Sequence, residues 1–503
     1  MGGCARKADV PPGLLRLAWS SDPASLDPAQ AVDVVGGAVV ALLYEGLVSI
    51  DKDGKVVPSL AQSWDIDSAG TTYTFVLDPR AQASDGTKLG AAEVARSWQR
   101  LLDPKNPSPR AWVLEAIDGA SAYTRGEAAQ ISGLSVVSAD TLQVRLARPR
   151  ASFLGLLAMP NAAVLAASQD VSGSVCTGPW VVVEHVASSH LKLRRNPHWH
   201  GNAPGFEEIQ VRILPEEFTR VAEFEVGHLD LLEIPASQAK RFREDPRYSA
   251  RIQRQVALVT EYIGLNNEQP VLSDPRVRRA LNHAVHVQRI MDTILEGRGV
   301  RSAGAIPPAI AGGRETGAYE YNPEKAKALL AEAKVPADWK LEIWQRPSPI
   351  VSQVLEAVQA DLKAVGVNAE ILQRDWGALK ASIDRGDTPA FYINWYADYP
   401  DPENFLVPLF HSANIGGGGN RARFHDAQVD SMLDALEAER DLDARGTLAA
   451  AIDARIHDAA PWIYLWHPLQ EVVTSERVQG YRPHPVASCE RWIDIAPAGA
   501  TAR

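Results

Sequence analysis

No stretch of about 18 consecutive apolar residues occurs in this 503-residue chain, so nothing in it reads as a membrane-crossing helix. No apolar leader segment follows Met1 either. Cysteine is scarce. Cys4, Cys176 and Cys489 are the only three, so the internal pair can form one disulfide at most. Such a bridge would suit an oxidising compartment; two buried free thiols are the other reading. Basic surplus is missing as well. With 51 Lys and Arg against 62 Asp and Glu the net charge is −11, which argues against nucleic acid as a partner. The chain lacks Gly-x-Ser-x-Gly and any plausible Ser/His/Asp or Cys/His set, so no nucleophile for a hydrolase stands out. Gly416 to Gly419 is not followed by Gly-Lys-Ser/Thr and is not a phosphate loop; it reads as a flexible loop able to lend N–H groups to a ligand. His198 and His200 have no third metal ligand at sensible spacing, and His283 and His286 read as a surface pair. No cofactor is implied.

What is present is ordinary globular composition, 46% apolar and 22% charged, with length for about three domains. Apolar and β-branched runs predict strands at 14–19, 71–77, 141–146, 209–213, 262–266, 341–344, 367–372 and 462–466. Amphipathic spacing predicts helices at 36–43, 91–102, 216–226, 275–284, 323–333, 351–365, 429–439 and 445–459. The strand–helix–strand order around 341–372 points to an α/β fold with mixed sheets.

One segment carries the chemistry. Asn394-Trp395-Tyr396-Ala397-Asp398-Tyr399-Pro400-Asp401-Pro402 sets Asp398 among aromatic rings at the end of an apolar run. Pro400 and Pro402 must end a strand there, because proline lacks the ladder donor. A shielded carboxylate needs a cation, and no Lys or Arg is near in sequence, so the cation can be a ligand's. An Asp capping a turn is the plainer reading. Of the 13 tryptophans, Trp112, Trp376 and Trp395 are candidates to line a pocket, whereas Trp98 and Trp466 suit the core.

Trp395-Tyr396-Ala397-Asp398-Tyr399 resembles the amine-binding segment of the periplasmic oligopeptide- and dipeptide-binding proteins of ABC importers. Ser25-Leu26-Asp27-Pro28, Tyr44-Glu45-Gly46-Leu47, Ser84-Asp85-Gly86-Thr87, Thr177-Gly178-Pro179-Trp180 and Asn196-Pro197-His198-Trp199 resemble that family's signatures in order. So does Asp274-Pro275-Arg276-Val277-Arg278-Arg279-Ala280-Leu281. The resemblance runs from about Leu14 to Ile495. It implies a two-lobed periplasmic binding protein fold (class II, mixed sheets) with an extra third domain. Domain I would comprise 1–45, 174–258 and 475–503, domain II 46–173 and domain III 259–474, with hinges near 258 and 474.

The resemblance also implies a function without catalysis: capture of short peptides between closing lobes and delivery to an ABC permease with its ATPase subunits, by a monomer. Asp398 would hold the peptide ammonium. Trp344-Gln345-Arg346-Pro347, with Arg346 52 residues before Asp398, resembles the segment supplying the arginine for the peptide carboxylate; a solvated loop arginine is the alternative. Val34, Val35, Tyr262, Asn266, Tyr396, Trp376, Trp112, Trp395 and Gly417 complete the implied ligand site. Gly3-Cys4 resembles the start of a mature bacterial lipoprotein, with Cys4 carrying the lipid as the only membrane attachment and an extracytoplasmic location.

Two departures shape the expectation. Basic residues that longer-peptide binders carry are matched here by Ile383 and Tyr392, and a disulfide of some relatives is matched by Val259 and Tyr396. Both favour shorter peptides. A nickel chelate, sugar or murein fragment on the same scaffold, or a hydrolase, are the alternatives.

Overall fold

The computed structural model describes residues 10–500; Cys4 lies outside them. Three sheets carry the architecture. The first runs Leu14–Trp19, Glu208–Ile213, His190–Arg195, Trp180–Val186, with only its first pair parallel. Leu15, Leu17, Leu191, Leu193, Ile209 and Val211 alternate onto one face and pack with helix Val34–Leu43. The second sheet, Ala61–Ile66, Thr72–Leu77, Thr141–Arg145, Leu134–Val136, is antiparallel. It shares a core with helix Ala91–Leu101 through Phe75, Leu142, Val94 and Trp98.

The third sheet is mixed. Its main path is Leu231–Glu233, Trp462–Thr474, Val259–Leu265, Ala390–Tyr396, Lys340–Gln345, Asn368–Gln373. The last two strands are parallel, joined by helix Pro349–Ala364 as a crossover must be. Alternation gives the sheet two cores. Ile263, Leu265, Ile343 and Ile463 pack on one face. Tyr262, Phe391, Ile393 and Trp462 pack on the other, in a core continuous with that of the second sheet. Gly264 crosses the Phe391 ring so closely that no Cβ would fit.

The predicted strand at 462–466 is in fact 13 residues long. Pro468 hid the extension, since proline within a run reads as a stop. Here it falls where the partner changes. Residues 462–466 pair with Val259–Leu265, and residues 469–473 pair with Ile252–Val256. Pro468 still accepts from the Ala257 N–H at 2.8 Å, and on its other side lies opposite Gly299 of strand Gly299–Arg301. Val259 and Tyr396 are direct cross-strand partners, and neither is a cysteine.

Cys176 and Cys489 are both free and buried, and burial pushes both thiols up to about 12. His283 is buried and bonds to the Glu320 carbonyl at 2.8 Å, so it is not half of a surface pair.

The second and third sheets are tied by a buried ion network. Glu403, on helix Pro402–Phe410, accepts from Arg150 Nη2 at 2.7 Å and faces Arg445 Nη2 at 3.4 Å. Arg445 in turn binds Asp401 at 2.6 Å. The Ala151 N–H donates to the Glu437 carbonyl at 2.8 Å beside them. Removing Glu403 leaves the mostly buried Arg150 guanidinium without its paired carboxylate, while Arg445 keeps Asp401. Glu403→Ala is therefore expected to lower unfolding free energy by about 3–5 kcal/mol in urea titrations. A loss below about 1 kcal/mol would mean that water reaches Arg150.

Candidate functional site

A cavity of about 780 Å³ opens where the third sheet faces the rest of the molecule, within the usual range for ligand sites. The strand Ala390–Tyr396 supplies one wall through Ile393, Asn394, Trp395 and Tyr396. Val32, Arg110 and Ala236 line the opposite side, and Pro468 and Leu469 lie at the strand junction.

Asp398 sits just past the end of Ala390–Tyr396, in a turn held from behind. Asp401 caps the following helix by accepting from the Glu403 N–H at 2.8 Å, and Pro402 takes its first position. One turn on, Asn404 Oδ1 accepts from Trp395 Nε1 at 3.1 Å and from the Asp398 N–H at 3.3 Å. That single amide fixes both the indole and the carboxylate beside it.

Asp398 is not unpaired. Arg110 Nη1 donates to its Oδ1 at 3.4 Å, while Arg110 Nη2 holds the Val32 carbonyl at 2.7 Å. The partners are 288 residues apart, which no local reading could find. The contact is long, and Arg110 Nε is buried with no bond of its own. Burial raises the Asp398 pKa above its ordinary 3.8, and the Arg110 charge only partly opposes it.

Arg346 lines the same cavity, immediately after strand Lys340–Gln345, as do Trp376, Trp395 and Tyr396. Five residues that the sequence did not mark join them. Glu261 is the most unusual. It sits at a bulge in Val259–Leu265, opposite Asn394, whose Nδ2 donates to its Oε1 at 2.9 Å. Its Oε2 is buried without a partner. Burial raises its pKa, with Asn394 and the Arg346 charge among the opposing effects. A lone Glu within Val-Thr-Glu-Tyr-Ile was its available signal. Arg298, Lys380 and Arg421 also line the cavity, with Arg110 as the fifth. Lys380 stands four residues after Trp376 on helix Trp376–Arg385, a spacing that marks one helix face; the other three carry no such signal.

The remaining expected residues lie elsewhere. Tyr262 is 1% exposed and stacks on Trp462 with ring centroids 3.6 Å apart, so its side chain points into the core. Asn266 is also buried, and its Nδ2 donates to the Gly386 carbonyl at 2.8 Å. Trp112 is half-buried against the core of the second sheet. Gly417 sits in the loop behind Asp384. Val34 and Val35 line a smaller cavity of about 220 Å³ with Trp19, Gln470 and Trp492.

Another cavity of about 780 Å³ is lined by charged side chains, most of which pair with one another or with His200. His200 bonds to Glu45 at 2.9 Å and faces Asp78 at 3.4 Å; Lys52 pairs with Glu490 and Arg482 with Asp53. It reads as a solvated seam. His200 is thus occupied by carboxylates, and no group of three or more potential ligands able to hold a metal occurs among the described residues.

Known proteins resemble the chain over nearly its whole length. It is 29% identical over 474 residues to the probable di/tripeptide-binding protein 5 of Pseudomonas aeruginosa, covering 88% of each chain. It is 28% identical over 472 residues to the heme-binding protein A of Haemophilus influenzae, covering 88% of this chain and 85% of that one. The structure of HbpA2 from Haemophilus parasuis superposes with a TM-score of 0.83 at 26% identity, over 96% of this chain and 99% of that one. Residues 55–417 match the model of the bacterial extracellular solute-binding proteins, family 5 Middle. Joined to the two-lobed architecture and the cleft between its lobes, that match makes the chain a member of the family 5 bacterial extracellular solute-binding proteins.

Proposed function

We propose that this chain is the binding component of an ABC peptide importer, holding short peptides by their two termini. The observation that carries the reading is one cavity lined by both Asp398 and Arg346. Asp398 receives the ammonium and Arg346 the carboxylate. Side chains differ among peptides, so shared affinity must come from backbone and ends. Arginine's planar fork suits a terminal carboxylate. Trp376, Trp395 and Tyr396 supply apolar walls. The di/tripeptide-binding relative supports this ligand class. No catalytic step is part of the reading. Delivery is to a permease and its ATPase subunits, with Cys4 as the attachment point if the protein is lipid-anchored.

Capture goes by lobe closure. Lobe I comprises about 1–45 and 174–258 with the C-terminal segment, the extra domain 46–173, and lobe III the remainder. The hinges are the Ala257–Leu258 step, between strands Ile252–Val256 and Val259–Leu265, and the crossing near Thr474. A cleft that seals both charged ends from water cannot admit them while shut. Small-angle scattering is expected to show a smaller radius of gyration with a bound tripeptide. An unchanged radius, with binding verified calorimetrically, would mean a preformed cleft.

Asp398→Ala is expected to fold and to weaken a free tripeptide by at least about 2 kcal/mol, because a shielded charge pair loses one member. N-acetylation of the peptide should cost the parent protein as much, and C-terminal amidation should act in the same way through Arg346. Equal affinities for free and blocked peptides in calorimetry would remove the termini as the shared handle.

The pH dependence follows with a definite sign. Only ionised Asp398 binds an ammonium, and its pKa lies above 3.8 in the ligand-free protein. Protons therefore compete with peptide: affinity is full at neutral pH and falls as pH drops through that raised pKa. Asp398→Asn should flatten this limb. A limb that persists in the variant would assign it to another carboxylate, Glu261 first.

A further inference from the structure

We propose that Lys380 and Arg421 form a second anion subsite in the cleft, which takes an acidic side chain of the bound peptide. The inference rests on the peptide reading and narrows it. The lining is unbalanced: five basic side chains face two acidic ones, Glu261 and Asp398. A dipeptide of neutral residues carries no net charge and cannot correct that excess.

The excess is uneven. Arg346 is the cation for the peptide's own carboxylate. Arg298 lies 3.6 Å from Glu471. Lys380 and Arg421 share a single carboxylate, Asp384, set behind them. Lys380 Nζ meets its Oδ2 at 2.5 Å and Arg421 Nε meets its Oδ1 at 3.0 Å. One charge of the two is thus neutralised and one remains. Donors remain too. Arg421 uses only Nε on Asp384, which leaves its terminal fork, and an ammonium has three donors. The Arg421 side chain is 13% exposed, so a charge there is poorly screened by solvent. Trp376, one helical turn before Lys380, lines the same cavity and gives the aliphatic part of a Glu or Asp side chain an apolar surface. Two cations held in place by one acid, facing a cavity, match a carboxylate that arrives with the ligand.

The test is calorimetry on the full chain with Ala-Glu-Ala and its isostere Ala-Gln-Ala at low salt. The Glu peptide is expected to bind at least tenfold tighter. Lys380→Gln and Arg421→Gln should each bring that ratio close to one. Equal affinities in the parent protein, or tighter Ala-Gln-Ala, would overturn the subsite while leaving the peptide reading standing. Binding of neither peptide would overturn both. The carboxylate could instead be the C-terminus of a longer peptide. In that case Lys380→Gln would abolish the effect of amidating Ala-Ala-Ala-Ala, and the side-chain assignment would fall.

Discussion

Strand Trp462–Thr474 gives its backbone donors and acceptors to Val259–Leu265 before Pro468 and to Ile252–Val256 after it, while Gly299–Arg301 pairs with residues 466–468 between them. Hydrogen bonding in a sheet is obligatory, so the two lobes cannot drift apart at this point. Each ladder is rigid along its own length. The Ala257–Leu258 step beside Pro468 lies between the ladders of Ile252–Val256 and Val259–Leu265. The cleft opens beside that junction, with Pro468 and Leu469 in its lining. Asp398 and Arg346 belong to one side of it, and Val32 and Arg110 to the other.

Three carboxylates show how differently a desolvated acid can be handled. Glu403 is 1% exposed and saturated, with two guanidinium groups and a phenol in reach. It fastens one domain to another. Glu261 has one bonded oxygen and one bare one. Asp398 has a single long contact to an arginine that also serves a carbonyl. Ordered by satisfaction, these run from structure toward binding. An acid with capacity left over, facing a cavity, is the one able to gain from an incoming cation.

Most of the fold was legible because periodicity survives in single sequences. The helix Pro275–Ala284 begins and ends where Asp-Pro and the apolar stripe say it should. The long strand was cut short by Pro468, a residue whose meaning depends on partners 200 residues away. Of the residues lining the cavity, Asp398 was visible through its local aromatic flanks, though its pairing with Arg110 was not. Arg110, Arg298 and Arg421 were not, since each reaches the cavity through tertiary packing. The Tyr262 side chain lies away from the cavity for the opposite reason: a strand that borders the cleft also shows half its side chains to the core. Alternation, shifted by the bulge at Glu261, sends the glutamate to the cavity and its neighbour Tyr262 away from it.

The anchor and the cation pair differ in how they are embedded. Asp398 hangs from Asn404 and Asp401, residues that also start a buried helix and hold Arg445. Altering that corner disturbs an interface between domains. Lys380 and Trp376 stand on a helix whose outer face meets solvent, and Trp376 itself is 48% exposed. Changes there leave the cores intact. Substitutions can therefore accumulate on that exposed helix and alter one wall of the cavity, while the corner around Asp398 stays locked to the stability of the chain.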